Sequence, residues 1–87
     1  MNIAGKTAIV TGGASGLGEA AVLHLHKAGA NVVIADLNEE KGNALAEKLG
    51  ERAIFVKCNV TSTDDVKATV NAAVEKFGAL HILVNNA

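Results

Sequence analysis

The sequence predicts a doubly wound α/β fold on a parallel sheet, and three observations point to it. Four short apolar runs, residues 7–11, 32–35, 54–57 and 81–84, are rich in β-branched side chains and continuous rather than alternating. Strands buried on both faces read that way. Segments of helical period separate the runs, so strands and helices alternate as β-α-β-α-β-α-β, an order that calls for right-handed crossovers.

The helices are expected over residues 16–27, 39–49 and 64–77. The first is read with Leu17, Ala20, Ala21 and Ala28 on its apolar face, and it closes at Gly29. The second carries Ala44, Leu45, Lys48 and Leu49 and stops at Gly50, a natural C-cap. The third carries Val66, Val70, Ala73, Val74 and Phe77, a regular helical stripe. Thr61-Ser62-Thr63-Asp64-Asp65 has the composition of a capping box, with acids at the positive end of the helix dipole.

Length and composition narrow the function. Eighty-seven residues make one domain at most. The net charge of −1 excludes the basic excess of a nucleic-acid binder and a polybasic membrane patch. Apolar residues make up 49% of the chain, which argues against disorder. No apolar run approaches the roughly 18 residues of a membrane span, and no signal peptide is visible at the N-terminus. The single cysteine, Cys58, cannot form an internal disulfide or a multi-cysteine zinc site. A reducing compartment is therefore expected, the cytoplasm or the mitochondrial matrix. The chain has no Tyr, Trp or Pro, so no tyrosine acid or base lies within it.

The chemistry is concentrated after the first strand, in Thr11-Gly12-Gly13-Ala14-Ser15-Gly16-Leu17-Gly18. Gly12 permits a sharp turn with positive φ. Gly16 leaves the backbone open to a pyrophosphate, and Gly18 lets the helix pack closely. Free N–H groups and the positive end of the helix dipole then face an anion, and the Ser15 hydroxyl can donate to it. Gly5-Lys6-Thr7 imitates the tail of a P-loop but precedes a strand instead of following one. A turn binding S-adenosylmethionine usually has a carboxylate at the end of the first strand, where this chain has Thr11.

Asp36 follows the second strand, 18 residues after Gly18. A carboxylate at that offset can accept both ribose hydroxyls of an adenosine and repels a 2′-phosphate. No Lys or Arg occurs after it until Lys41, and the glycine turn carries none. This favours NAD over NADP.

Together these residues resemble the N-terminal half of a short-chain dehydrogenase/reductase. The matching motifs are Thr11-Gly12-x-x-x-Gly16-x-Gly18, Asp36, the polar-Val pair Asn59-Val60, and Asn85-Asn86-Ala87 after the fourth strand. The resemblance implies a Rossmann-type sheet of order 3-2-1-4. It implies a partial NAD(P)-binding domain over residues 1–87, cut off after the fourth strand. By the same resemblance Ser15 and Leu17 line the pyrophosphate and nicotinamide side, and Asp36 holds the adenosine ribose. Asn59 and Val60 meet the adenine, the Asn59 carbonyl accepting from its amino group and the Val60 backbone bonding a ring nitrogen. Asn86 and Ala87 line the cofactor near its ribose, and Asn85 ties the fourth strand to its surroundings. The family usually has Asp where this chain has Asn59, and an amide still accepts that bond through its carbonyl oxygen, so at most a modest loss is expected.

The implied activity is hydride transfer between NAD and a carbonyl or alcohol carbon of a small molecule. Its Ser, Tyr and Lys would lie beyond Ala87, so the 87 residues alone are expected to be inactive and to bind the cofactor weakly. The glycine turn is similar to that of short-chain 3-hydroxyacyl-CoA dehydrogenases, which makes a 3-hydroxyacyl-CoA a candidate substrate. A homo-oligomer is implied for the full-length protein, with no nucleic-acid or membrane partner. A non-catalytic NAD-binding or sensing module remains the alternative.

The remaining residues read as structural. His24 and His26 are two apart on a helix and face different ways. His81 opens the fourth strand, far from its carboxyl end, and reads as a surface or packing residue. Cys58 reads as small and buried, and Phe55 and Phe77 as core. Asp36→Arg is expected to weaken NADH binding and improve NADPH binding.

Overall fold

A computed structural model describes residues 2–86. Seven elements follow one another: β1 (Thr7–Thr11), α1 (Gly16–Lys27), β2 (Asn31–Asp36), α2 (Glu39–Leu49), β3 (Ala53–Lys57), α3 (Thr63–Phe77) and β4 (Ile82–Asn85). The sheet order is β3-β2-β1-β4, and every pairing is parallel. The expected topology and strand order are both present.

Burial divides the strands into two kinds. β1 is buried at every position, and β2 everywhere except its two ends. β3 and β4 are the outermost strands, as the order 3-2-1-4 implies, and are only partly covered. An apolar run cannot announce its place in the sheet, because edge and centre use the same β-branched residues.

The sheet separates two cores. Val10, Val32 and Ile34 face α1 and α2, packing with Ala14, Val22 and Leu45. Ile9, Val33 and Ala35 face α3, packing with Cys58 and Ala73. Cys58 is 3% exposed, as read from the sequence. Phe55 joins the first core and Phe77 the second, each half-buried.

The helix faces match the expected ones in part: Ala21, Leu45, Leu49, Val70, Ala73 and Phe77 pack against the cores. In α1 the buried residues are Gly18 and Val22, with Leu25 packed beside them, while Leu17 is 82% exposed. In α2 they are Gly42 and Leu45, and Ala44 is exposed. In α3 they are Thr69 and Ala73, while Val66 and Val74 are exposed. Small residues mark the closest approach of each helix, and a search for large apolar side chains passes over them.

Gly42 shows this directly. A Cβ there would run into the Phe55 ring. Helix propensity alone favours alanine over glycine by about 1 kcal/mol. Gly42→Ala is nevertheless expected to destabilise by about 1–3 kcal/mol through overpacking. A urea midpoint measures the sign, and Phe55→Leu in the same chain should restore much of the loss.

The turns follow their caps. Ser62 caps α3, its side chain accepting from the Asp65 N–H. Asp65 does not complete the expected reciprocal box; its carboxylate accepts from the Asn59 N–H at 2.9 Å. Asn38 caps α2, accepting from Lys41 N–H. Arg52 donates to the carbonyls of His26 and Ala30, tying the end of α1 to the start of β2. His81 adds a rung between β1 and β4: its N–H donates to Thr7 O, and its Nδ1 accepts from Thr7 N–H. Among the described residues no helix is long and apolar enough to cross a membrane.

Candidate functional site

The carboxyl ends of β1, β2 and β3 converge on the glycine turn. Gly12 has φ +64 and donates its N–H to Ala35 O at 2.8 Å, which joins the turn to β2. Gly16 has φ +59, and a Cβ there would meet nothing within 4 Å. Glycine is therefore needed at position 16 for its conformation, and the space above it is open to a ligand. Gly18 has a different task. A Cβ there would fall inside the Gly12 carbonyl, so α1 packs on the turn at this point, while Val22 packs it on the sheet.

Ser15 is the N-cap of α1, yet its side chain makes no capping bond. Its hydroxyl and the first amides of α1 are thus available to an anion, the arrangement that suits a phosphate at a helix N-terminus. Leu17, one residue into the helix, stands out from the protein beside them.

Asp36 ends β2 and reaches back to the turn. Its Oδ2 accepts from Ala14 N–H at 3.0 Å, and its Oδ1 accepts from Asn38 N–H at 2.9 Å. These bonds hold the carboxylate in one orientation and brace the glycine turn. Each oxygen retains acceptor capacity for a ribose hydroxyl.

A pocket of about 130 Å³ lies between Gly12, Asp36, Leu37, Cys58, Asn59 and Val60. It brings together four of the residues singled out from the sequence. Leu37, 61% exposed, was not singled out for it. The apolar residue following Asp36 was the available signal for Leu37. Cys58, which its position after the third strand places near such a pocket as a small buried side chain, lines it. A larger cavity, about 330 Å³, lies on the other side of the turn between α1 and α2, with Ser15, Glu19, Lys41 and Lys48 in its lining.

Asn59 also closes a local ring. Its Oδ1, the expected acceptor for an adenine amino group, already accepts from both Thr61 N–H at 3.0 Å and Thr61 Oγ1 at 2.7 Å. A carbonyl two residues before a turn amide closes this local ring readily.

The fourth strand enters the site through Thr11. The Thr11 hydroxyl lies 3.0 Å from Asn85 Oδ1 and 3.3 Å from Val84 O, either of which accepts its proton. Its oxygen accepts from Asn86 N–H at 3.0 Å. The Asn86 backbone then lies against Gly12, whose missing Cβ would come within 3.3 Å of Asn86 O. Thr11, noted in the sequence only as part of the motif, is the link between the turn and β4. Ala87 lies outside the described residues.

This arrangement of parallel strands, glycine turn and β2 carboxylate defines a dinucleotide-binding α/β domain. The chain belongs to the short chain dehydrogenase family, whose model matches residues 6–87. Members of that family bind nicotinamide cofactors, NAD or NADP. The chain is 49% identical over 83 residues to tropinone reductase-like 1 of Erythroxylum coca, covering 95% of this chain and 30% of that protein. It is 48% identical over 83 residues to 3-hydroxyacyl-CoA dehydrogenase type-2 of Drosophila melanogaster, covering 95% and 32%. A crystal structure of 3-hydroxyacyl-CoA dehydrogenase type-2 from Mycobacterium avium superposes with a TM-score of 0.90 at 54% identity, covering 95% of this chain and 32% of that one. A hydroxysteroid dehydrogenase from Escherichia coli superposes at 0.91 with 34% identity, covering 99% and 38%. The chain thus spans about a third of the length of these relatives.

Proposed function

We propose that these residues form the NAD-binding portion of an oxidoreductase that transfers a hydride between nicotinamide and a carbonyl or alcohol carbon. The observation that carries this reading is Asp36, held by Ala14 N–H and Asn38 N–H at the rim of the pocket beside the glycine turn. A carboxylate held there suits two ribose hydroxyls and opposes a 2′-phosphate, which supports NAD. Gly12, Ser15, Gly16, Leu17 and Gly18 take the pyrophosphate side, Asn59 and Val60 the base, and Asn86 and Ala87 the ribose on the nicotinamide side. The cofactor supplies the hydride chemistry. The Tyr of the family's reaction is not among these residues, since the chain has none. The substrate class is a small alcohol or ketone. Two relatives named for 3-hydroxyacyl-CoA dehydrogenation support a 3-hydroxyacyl-CoA within that class.

Titration with NADH and NADPH, followed by NMR amide shifts, tests the reading and tolerates weak affinity. NADH is expected to shift the amides of residues 12–18 and Val60 and to bind at least about ten-fold tighter than NADPH, on the scale of hydrogen bonds to a charged group. Asp36→Arg should weaken NADH by a similar factor and reverse the preference. Failure of both dinucleotides to move any of these amides would sink the proposal.

A further inference from the structure

We infer that His81 is an acid-released latch on β4: its neutral imidazole holds the buried start of β1, and a second proton on the ring lets that end of β4 go. The inference is independent of the dinucleotide reading above, because the latch lies at the amino end of the sheet and the glycine turn at the other.

β4 is an outermost strand beside β1, and none of its four residues is fully buried. Its ladder to β1 begins with the pair Ala8–Ile82. One step earlier His81 extends the grip with two bonds to a single residue. Its N–H donates to Thr7 O at 2.9 Å, and its ring Nδ1 accepts from Thr7 N–H at 3.0 Å. The partner fixes the protonation of the ring. A backbone N–H can only donate, so the nitrogen facing it is bare and the ring proton sits on Nε2.

The two partners differ in their access to water. Thr7 is 1% exposed, and its hydroxyl has no partner among the described residues. His81 is exposed. A buried donor thus depends on an acceptor that stands at the surface. A second proton turns Nδ1 into a donor opposed to Thr7 N–H. The imidazolium can swing out into water, whereas the backbone N–H cannot follow it, and an unpaired buried N–H is costly. Histidine is the side chain that changes charge between about pH 5 and 8. The rung is therefore made at neutral pH and lost as the pH falls.

Charged side chains around this end of β1 and its two neighbours are Lys6 before β1, Lys27 at the end of α1, Arg52 reaching Ala30, and Glu75 and Lys76 at the end of α3. None of them bonds or pairs with the ring among the described residues, so no described contact offsets a charge there. The Lys57–Glu39 ion pair lies at the opposite end of the sheet. That opposite end of β4 is pinned separately, by the Thr11 hydroxyl on Asn85 and Asn86, through groups that do not titrate in this range. Acid should loosen one end of the strand and leave the other held.

Native-state hydrogen exchange of the protein, corrected for the intrinsic pH dependence of exchange, tests this. Between about pH 7.5 and about pH 5, protection of the Thr7 and His81 amides is expected to fall about two- to ten-fold more than that of Asn86 or of the β1–β2 ladder. His81→Asn places an amide oxygen on the same Cγ, accepts from Thr7 N–H and takes up no proton, so it should stay protected at both pH values. His81→Ala should be weakly protected at both. A Thr7 amide whose protection is unchanged by acid in the unaltered protein would overturn the inference, and that measurement needs no variant. An equal loss across the whole sheet would overturn it too. So would a pH response that survives His81→Asn, which would belong instead to His24 or to His26, whose Nε2 is buried without a partner among the described residues.

Discussion

Gly18→Ala is expected to destabilise the protein by about 3 kcal/mol or more and to abolish NADH binding. The added methyl would fall inside the Gly12 carbonyl and come within 3.0 Å of Gly13 Cα. Those are backbone atoms of a tight turn, and they cannot rotate away as a side chain can. Gly12 is also held by its bond to Ala35 and lies against Asn86, so retreat would break β2 or β4 contacts. The sign is diagnostic. In an ordinary exposed helix interior the same change stabilises by about 1 kcal/mol. In a domain of this size 1 kcal/mol moves the melting temperature by about 4–8 °C. A melting curve should therefore fall by about 12 °C or more; a rise would show that α1 does not press on the turn.

Thr11→Val should cost about 1–3 kcal/mol, and its effect should concentrate in β4. Valine preserves the volume and the β-branched shape that suits a strand. It removes only the hydroxyl, which leaves Asn86 N–H and Asn85 Oδ1 without that partner. Hydrogen exchange should accelerate at Asn86 and along β4 more than in the β1–β2 ladder. NADH binding should weaken because Asn86 is no longer held beside Gly12. Thr11→Ser, which keeps the hydroxyl, should recover most of both losses. Equal acceleration across the whole sheet would instead point to global unfolding and against a link specific to β4.

How much was legible can be argued from particular elements. β1, α1 and α2 run over the residues expected from apolar runs and glycine stops, and the other elements differ by a residue or two at an end. Gly12, Gly16 and Gly18 were recognisable because a strand, a turn and a helix must share a short segment there. Asp36 was recognisable from its offset. The helix faces were recognisable only in part: Leu45, Leu49, Val70, Ala73 and Phe77 were, the face of α1 was not. In α1 the stripe Gly18, Val22, Leu25 begins with a residue that has no side chain, and Ala20 and Leu23 offer equally plausible faces. Asn59 was recognisable as a residue, but the partner of its Oδ1, Thr61, becomes visible only when the loop is closed.

The sequence by itself determined the alternation of strands and helices, the position of the glycine turn and the carboxylate that follows it. Those depend on local chemistry: periodicity, positive φ and charge near a helix start. Tertiary structure alone decided which small residues complete the buried helix faces, that Asp36 braces Ala14, and that the Thr11 hydroxyl reaches β4. These are contacts between residues far apart in the chain, 22 positions for Asp36–Ala14 and up to 75 for Thr11–Asn86. No local pattern encodes them, because the same short motif is compatible with many distant partners until the sheet order selects one.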